Sequence, residues 1–179
     1  PIVDEALEVN RRVCLAFPDD GAAKRFEAAI LKVEARLGIE LPKVFGIKRR
    51  DRKTGKSVLI AMHGDLNALN SATVVMLDDE IATGGSVIHM GELLRTKYHA
   101  HLVWAAVTHG VLAGQAPTLF MADDSPVSRV ITMDTIPVHD RPELAQLLAS
   151  GRLKVYSWEE DLAWVIFHHH WDMSIRGDR

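Results

Sequence analysis

Two adjacent carboxylates precede a small-residue turn, and together these groups could bind a ligand that carries both hydroxyl and phosphate groups. The acids are Asp78 and Asp79, and the turn at residues 83–86 reads Thr-Gly-Gly-Ser. Glycines allow a positive φ and a close approach of the main chain to an anion, and the two hydroxyl side chains add donors. Carboxylates repel phosphate, so the acids are better explained as acceptors for sugar hydroxyls or as ligands of a divalent cation. The segment indicates a phosphorylated sugar as ligand.

The hydrophobic pattern places this turn between a buried strand and a helix. Residues 73–77 are mostly apolar and predict a strand, while the apolar residues between 87 and 98 recur at helical spacing. Unpaired N–H groups and the helix dipole favour an anion at such a helix N-terminus. A simpler interpretation is an ordinary turn with an N-capping Thr or Ser. Capping does not explain two consecutive acids at the end of a buried strand.

Alternating strands and helices are predicted along the rest of the chain. The pattern predicts strands at 13–17, 43–47, 58–62, 73–77, 102–107, 127–133 and 153–156, and helices at 26–37, 87–98, 116–121, 142–148 and 159–170. The polar segment 49–56 is predicted to be an exposed loop. This alternation predicts an α/β fold with a mostly parallel sheet and helices on both faces. Ligands of such sheets bind at the carboxyl ends of the strands.

Five motifs in order resemble those of ribose-phosphate pyrophosphokinases, also called phosphoribosyl pyrophosphate (PRPP) synthetases. The strand, paired acids and turn described above are similar to the PRPP loop of type I phosphoribosyltransferase folds. A narrower resemblance, to the C-terminal half of the synthetase, is carried by segments 17–25, 48–50, 108–114 and 134–137, which read FPDDGAAKR, KRR, THGVLAG and DTIP. It implies one phosphoribosyltransferase-like domain over residues 1–179, with the N-terminal half of the synthetase absent from the chain.

The resemblance implies a role for each motif. Asp78 and Asp79 would meet the ribose hydroxyls, and the 5-phosphate would be bound by Ala82, Thr83, Gly84, Gly85 and Ser86. Lys48 and Arg50 would be catalytic, because cations on a mobile lid stabilise the charge that accumulates during diphosphoryl transfer. Asp19 would position Mg²⁺ near the ribose and pyrophosphate. The simpler interpretations are a solvated charged loop around Lys48 and a helix N-cap at Asp19.

Three functions remain open from the sequence. The first is ribose-phosphate diphosphokinase activity, which makes PRPP from ATP and ribose 5-phosphate with Mg²⁺ as cofactor. The second is a phosphoribosyltransferase that uses PRPP, although no hood segment over a base is identified. The third is a non-catalytic, PRPP-sensing or synthetase-associated protein. The resemblance also implies a homo-oligomer, and we expect the ATP site of this chain to be incomplete.

Composition limits the class of protein. The chain has 179 residues, a hydrophobic content of 47% and a net charge of −3, which favours one core and argues against nucleic acid as the main partner. Its apolar runs are too short for a membrane span, and no signal-peptide pattern is present. Cys14 is the only cysteine, so no intrachain disulfide can form, and we expect it in a buried strand. The expected location is cytoplasmic.

Overall fold

Strands and helices alternate along the chain in the computed structural model, which describes residues 1–50 and 57–175. Within these ranges the strands are β1 (Val13–Phe17), β2 (Lys43–Arg50), β3 (Ser57–Gly64), β4 (Thr73–Ile81), β5 (Leu102–Gly110), β6 (Arg129–Met133) and β7 (Leu153–Tyr156). The α-helices are α1 (Ile2–Val9), α2 (Asp20–Leu37), α3 (Gly85–Thr96), α4 (Ala116–Met121), α5 (Ala145–Ala149) and α6 (Glu159–His170). Two short 3₁₀ helices span Leu66–Leu69 and Pro142–Leu144.

The seven strands form one sheet in the order β3-β2-β1-β4-β5-β6-β7. Every neighbouring pair is parallel except β2 and β3, which run antiparallel. The predicted mostly parallel α/β sheet is therefore confirmed. β1 and β4 lie side by side at its centre, so the turns that follow these two strands open at the same edge of the sheet.

Apolar side chains from alternate positions of the central strands build a core on each face of the sheet. Val74 and Met76 of β4 pack with α3 and α4 on one face, whereas Val75 packs with α1 and α2 on the other. Helices thus cover both faces, as predicted. Cys14 is fully buried in β1, and burial raises the pKa of its thiol to about 12.

Four strands, β2 to β5, are longer than the hydrophobic pattern predicts, and the extensions of β4 and β2 bear on the site. β4 continues to Ile81, so the paired acids lie within the strand and not in a loop after it. β2 continues to Arg50, so the prediction of a loop from residue 49 is wrong for its first two residues. Antiparallel pairing with β3 explains the extension, because Arg49 faces Val58 across the ladder, beyond a bulge after Ile47. Residues 51–56, the remainder of the predicted loop, lie outside the described residues.

Smaller differences occur at the ends of other elements. β6 begins at Arg129 and not at residue 127, and the helix at Pro142 opens as a 3₁₀ turn before α5. Helix α1 was not predicted, although it buries Ala6 under the sheet. α2 begins earlier than its apolar positions indicate, because Asp19 caps it.

Helix α6 leaves its apolar side chains exposed. None of its residues is buried, and Ile166 and Phe167 are 59% and 54% exposed. Among the described residues, none of the helices combines the length and apolarity needed to cross a bilayer.

Candidate functional site

A cavity of about 450 Å³ lies at the carboxyl ends of the central strands. Its walls bring together most of the predicted site residues, namely Lys48, Asp78, Ala82, Thr83, Gly84, Gly85 and Ser86. Pro18, which follows β1, also lines the cavity. β1 lies between β2, which carries Lys48, and β4, which carries the two acids. Predicted site residues from positions 48 to 86 of the sequence therefore converge on one place.

The two adjacent acids differ in their surroundings. Asp78 is 27% exposed and accepts a hydrogen bond of 2.9 Å from the amide of Asp79, whose own carboxylate is 56% exposed. Burial, followed by the neighbouring Asp79, raises the pKa of Asp78 to about 6. The hydrogen bond with Asp78 lowers the pKa of Asp79. The pair therefore has one carboxylate that is ionised throughout the neutral range and one that gains its charge near pH 6.

The tight turn before α3 depends on Gly84. Its φ is +81°, and a Cβ at this position would lie 3.0 Å from the ring of Phe120. Only glycine combines that backbone conformation with that clearance. Of the two glycines, which both allow a positive φ, Gly84 takes one and Gly85 does not, because Gly85 is the first residue of α3 and an N1 residue is helical. A Cβ on Gly85 would point into open space, so its missing side chain leaves room beside the cavity.

The N-terminus of α3 presents amide groups to the cavity. The first intrahelical bond runs from the amide of Ile88 to the carbonyl of Gly84, at 2.9 Å. Amides before this position have no partner within the helix, and among the described residues no side chain caps α3. Thr83 and Ser86 are exposed at the wall of the cavity and do not serve as caps. Free amides, hydroxyls and the helix dipole can therefore act together on an anion.

A neighbouring loop holds the turn in place through main-chain bonds. The amide of Ala113 donates to the carbonyl of Ala82 at 2.8 Å, and that of Leu112 donates to Ile81 at 3.0 Å. Leu112 is fully buried with a φ of +46°, an unfavourable conformation for a branched side chain. Arg141 fixes this loop, because its guanidinium donates to the carbonyls of Val111 and Leu112 at 2.6 and 2.9 Å. Sequence reasoning did not identify Arg141.

Asp19 has two structural partners. One carboxylate oxygen accepts the amide of Ala22 at 2.9 Å, which caps α2, and the other pairs with Nζ of Lys48 at 3.0 Å. Burial opposes ionisation of Asp19, but the Ala22 amide and then Lys48 outweigh it and lower its pKa. The N-cap interpretation is therefore correct for one oxygen, and the carboxylate stays charged at the edge of the cavity.

Lys48 reaches this position because β2 passes very close to the end of β1. A Cβ on Gly46 would lie 2.5 Å from the carbonyl oxygen of Pro18, so only glycine permits this approach. Lys48 directly follows the register shift in the ladder with β3, and its Nζ pairs with Asp19. Arg50 is the last residue of β2, and its side chain lies outside the described part of the structure.

The guanidinium of Arg25 is a further cation, and it contacts both of the paired acids. Nη2 of Arg25, from the second turn of α2, is 3.5 Å from Oδ1 of Asp78 and 3.4 Å from Oδ1 of Asp79. Arg25 falls within one of the motifs found in the sequence, but no role was predicted for it. No local signal could show that α2 and β4 bring these three groups together.

The segment at residues 108–114 continues β5 beyond the core. Nδ1 of His109 lies 2.9 Å from the hydroxyl oxygen of Thr135, and that hydroxyl donates to the carbonyl of Thr108 at 3.0 Å. These contacts join two of the motifs on which the resemblance rests. His109 keeps an exposed ring.

The fold and the cavity define a class of protein: α/β domains with a cavity at the carboxyl edge of a mostly parallel sheet, the edge at which such sheets bind ligands. No protein-family model matches the chain. In sequence it is 27% identical over 168 residues to the ribose-phosphate pyrophosphokinase of Caldanaerobacter subterraneus subsp. tengcongensis. This alignment covers 94% of this chain and 47% of the relative. The chain is 30% identical over 169 residues to the Deinococcus radiodurans enzyme of that name, with the same two coverages.

A solved structure agrees with these relatives. The phosphoribosylpyrophosphate synthetase of Mycobacterium smegmatis superposes with a TM-score of 0.64 and 25% identity, covering 96% of this chain and 49% of that one. The chain therefore resembles ribose-phosphate pyrophosphokinases along nearly all of its length and shares their phosphoribosyltransferase-like fold. It spans about half the length of the curated relatives that it matches.

Proposed function

We propose that this chain provides the ribose 5-phosphate and PRPP site of a ribose-phosphate diphosphokinase. In that reaction a diphosphoryl group passes from ATP to the 1-hydroxyl of ribose 5-phosphate. One observation carries the proposal. Asp78 near the end of β4 and the turn that opens α3 line a single cavity, and Asp79 is the next residue on the strand, so hydroxyl acceptors and an anion site lie beside the same space. The chain's similarity to named pyrophosphokinases supports it.

The ligand would lie along this loop with its phosphate toward α3. Residues 82–86 would bind the 5-phosphate through their amides and hydroxyls, and Asp78 and Asp79 would accept hydrogen bonds from the ribose hydroxyls. Hydrogen bonds to charged acceptors are the stronger class. A phosphate without the sugar would use only half of the site, and ribose without the phosphate only the other half.

Lys48 and Arg50 are the proposed catalytic cations. The structure describes the side chain of Lys48, whereas the role of Arg50 is proposed from the resemblance alone. Lys48 lines the cavity and lies next to Asp19. A positioned ammonium can stabilise the negative charge that develops on phosphate oxygens during transfer.

The donor set limits how Mg²⁺ could be held. Among residues 1–50 and 57–175, no group of three metal-binding side chains is present, so a cage built from protein alone does not fit. One carboxylate plus phosphate oxygens and water is a common Mg²⁺ arrangement, and Asp19 could supply that carboxylate. The ion would neutralise phosphate charge. We expect Mg²⁺ to strengthen PRPP binding more than ribose 5-phosphate binding, which calorimetry with and without the ion would measure.

We also propose that the chain forms a homo-oligomer. The exposed apolar side chains of α6 are the kind of surface that subunit contacts bury; they include Leu162, Val165, Ile166 and Phe167. Multi-angle light scattering of the whole chain would test this, and a monomeric mass at high concentration would contradict it.

Calorimetric titration tests the proposed function directly. We expect ribose 5-phosphate to bind clearly more tightly than either ribose or inorganic phosphate. Replacing both acids, as Asp78→Asn with Asp79→Asn, should abolish this gain while inorganic phosphate still binds. Asp123→Asn with Asp124→Asn is the matched control, because this exposed pair lies outside the cavity. Absence of ribose 5-phosphate binding at millimolar concentration would refute the proposal.

A further inference from the structure

Arg25 bridges the two acids that are proposed to receive the ribose hydroxyls. A single nitrogen, Nη2, lies between the Oδ1 atoms of Asp78 and Asp79, at 3.5 and 3.4 Å. The Oδ1 atom of Asp78 also accepts the Asp79 amide at 2.9 Å. These contacts place one cation between one oxygen of each carboxylate.

The bridge contributes little to the stability of the fold. The side chain of Arg25 is 50% exposed, and exposed ion pairs contribute little to folding. Its backbone belongs to helix α2, whose N-terminus is capped by Asp19. Arg25 reaches from α2 to two acids on β4 while half-exposed. A role in arranging the two acids explains this contact better than a role in packing does.

Two neighbouring carboxylates also create an electrostatic problem for the proposed ligand. They repel each other, and they repel the phosphate that must bind at the adjacent turn. A guanidinium between them reduces both repulsions, and it does so without occupying the wall of the cavity, which Asp78 forms and Arg25 does not.

We propose that Arg25 is a positioning residue that makes the Asp78–Asp79 pair selective for a sugar bearing neighbouring hydroxyls. This inference rests on the proposed function. Held at fixed spacing by one cation, the two carboxylates can each accept a hydroxyl from adjacent carbons of a ribose ring. Without the cation the acids separate or exchange partners, and the site keeps its phosphate turn but loses its preference for the hydroxylated sugar.

Other charged or titratable groups surround the cluster of Arg25, Asp78 and Asp79. Lys48 of β2 acts on Asp78 through its charge, and it is itself paired with Asp19. Glu80 is next on β4 and faces His109 across the ladder with β5, and His89 of α3 lines the cavity. Arg25 differs from all of these in contacting both acids at once.

The test compares two ligands that differ by one hydroxyl, ribose 5-phosphate and 2-deoxyribose 5-phosphate, by calorimetry on the whole chain. We expect the unaltered protein to prefer ribose 5-phosphate by about tenfold or more, since a lost hydrogen bond to a charged acceptor is costly. In Arg25→Ala the preference should fall below about threefold, while affinity for inorganic phosphate stays unchanged. Arg25→Lys should recover part of the preference, because it restores the charge but not the planar guanidinium.

Arg36→Ala is the matched control. It removes an arginine from the same helix, where Arg36 pairs with Asp4 on α1, away from the cavity. It should retain the full preference. An Arg25→Ala protein that keeps the tenfold preference, or that loses affinity for both sugars and for phosphate equally, would overturn the inference and leave the proposed function standing. If the unaltered protein binds neither sugar phosphate, the proposed function fails and this inference fails with it.

Discussion

Lys48 and Asp19 form an ion pair of 3.0 Å that joins the end of β2 to the N-terminus of α2. Both side chains are partly exposed, at 35% and 45%, so the pair contributes about 1 kcal/mol or less to folding. The main effect of the ion pair is to position the Lys48 side chain. The ammonium is placed at the wall of the cavity, and Asp19 is kept ionised beside it.

Lys48→Ala should therefore affect turnover and not sugar binding. We expect ribose 5-phosphate affinity within about threefold of the unaltered protein, because the ligand contacts belong to β4 and α3. Formation of PRPP from ATP should fall by about 100-fold or more, since the cation acts on charge that develops during transfer. A radiochemical PRPP assay and calorimetry measure the two quantities. Equal losses in both would show that Lys48 binds substrate and has no separate catalytic role.

The two glycines of the turn should respond differently to alanine. Gly84→Ala introduces a Cβ at a φ of +81° and 3.0 Å from Phe120, so we expect a loss of about 1–3 kcal/mol in the free energy of unfolding. Gly85→Ala places its Cβ in open space within a helix, so stability should be unchanged or slightly higher. Its ribose 5-phosphate affinity should still fall, because the methyl group enters the space beside the cavity. Urea unfolding and calorimetry distinguish the two variants, and similar stabilities would contradict this account.

The turn could be predicted from sequence because its signal is local. An apolar strand, two acids and a Thr-Gly-Gly-Ser turn lie within thirteen consecutive positions, 74–86, and each residue type has its own physical reason to be there. The alternation of the elements also predicts the sheet and its two cores, since the connection between parallel strands must cross a face. These features are the ones that the structure reproduces.

What could not be predicted depends on contacts between distant positions. Arg25 and Asp78 meet only because α2 packs beside β4, and Arg141 binds Val111 across 30 positions of sequence. The length of β2 is also a tertiary property, because Arg49 is polar and becomes part of a strand only by pairing with β3. Local composition shows only a charged run at these positions, which is equally typical of a solvated loop.

Stability should depend on pH through Asp78. The pKa of this residue is about 6 in the folded protein against an ordinary value of 3.8, so the folded state binds more protons between pH 4 and 6. Stability contributed by this group is therefore present at pH 4 and is lost as the pH rises through 6. Asp78→Asn should abolish this loss, which we expect to be about 1 kcal/mol after allowance for solvent screening. The lowered pKa of Asp79 acts below pH 4, outside this window.

Urea unfolding at pH 4, 5, 6 and 7 provides the measurement for Asp78. Asp78→Asn should become more stable relative to the unaltered protein as the pH rises. Asp124→Asn, which changes an exposed acid outside the cavity, should follow the unaltered protein at every pH. Parallel profiles for Asp78→Asn and the unaltered protein would show that Asp78 titrates normally.

Arg141 should support the phosphate turn without touching the ligand. Its guanidinium donates to two consecutive carbonyls, and the next amides along that loop hold Ile81 and Ala82. Removing a charged donor from each bond costs about 1.5–3 kcal/mol, and part of that free energy holds Leu112 at its unfavourable positive φ. In Arg141→Ala we therefore expect faster hydrogen exchange at the amides of Leu112 and Ala113, together with weaker ribose 5-phosphate binding.

Arg141→Lys should not restore protection, because a single ammonium cannot reproduce a planar fork on two carbonyls. Arg152→Ala is the control, since Arg152 makes a similar pair of bonds to the carbonyls of Phe120 and Ala122 at the other end of α4. It should destabilise the protein while leaving exchange at Leu112 unchanged, whereas exchange that rises equally in both variants would mean that Arg141 stabilises the whole domain and not this loop.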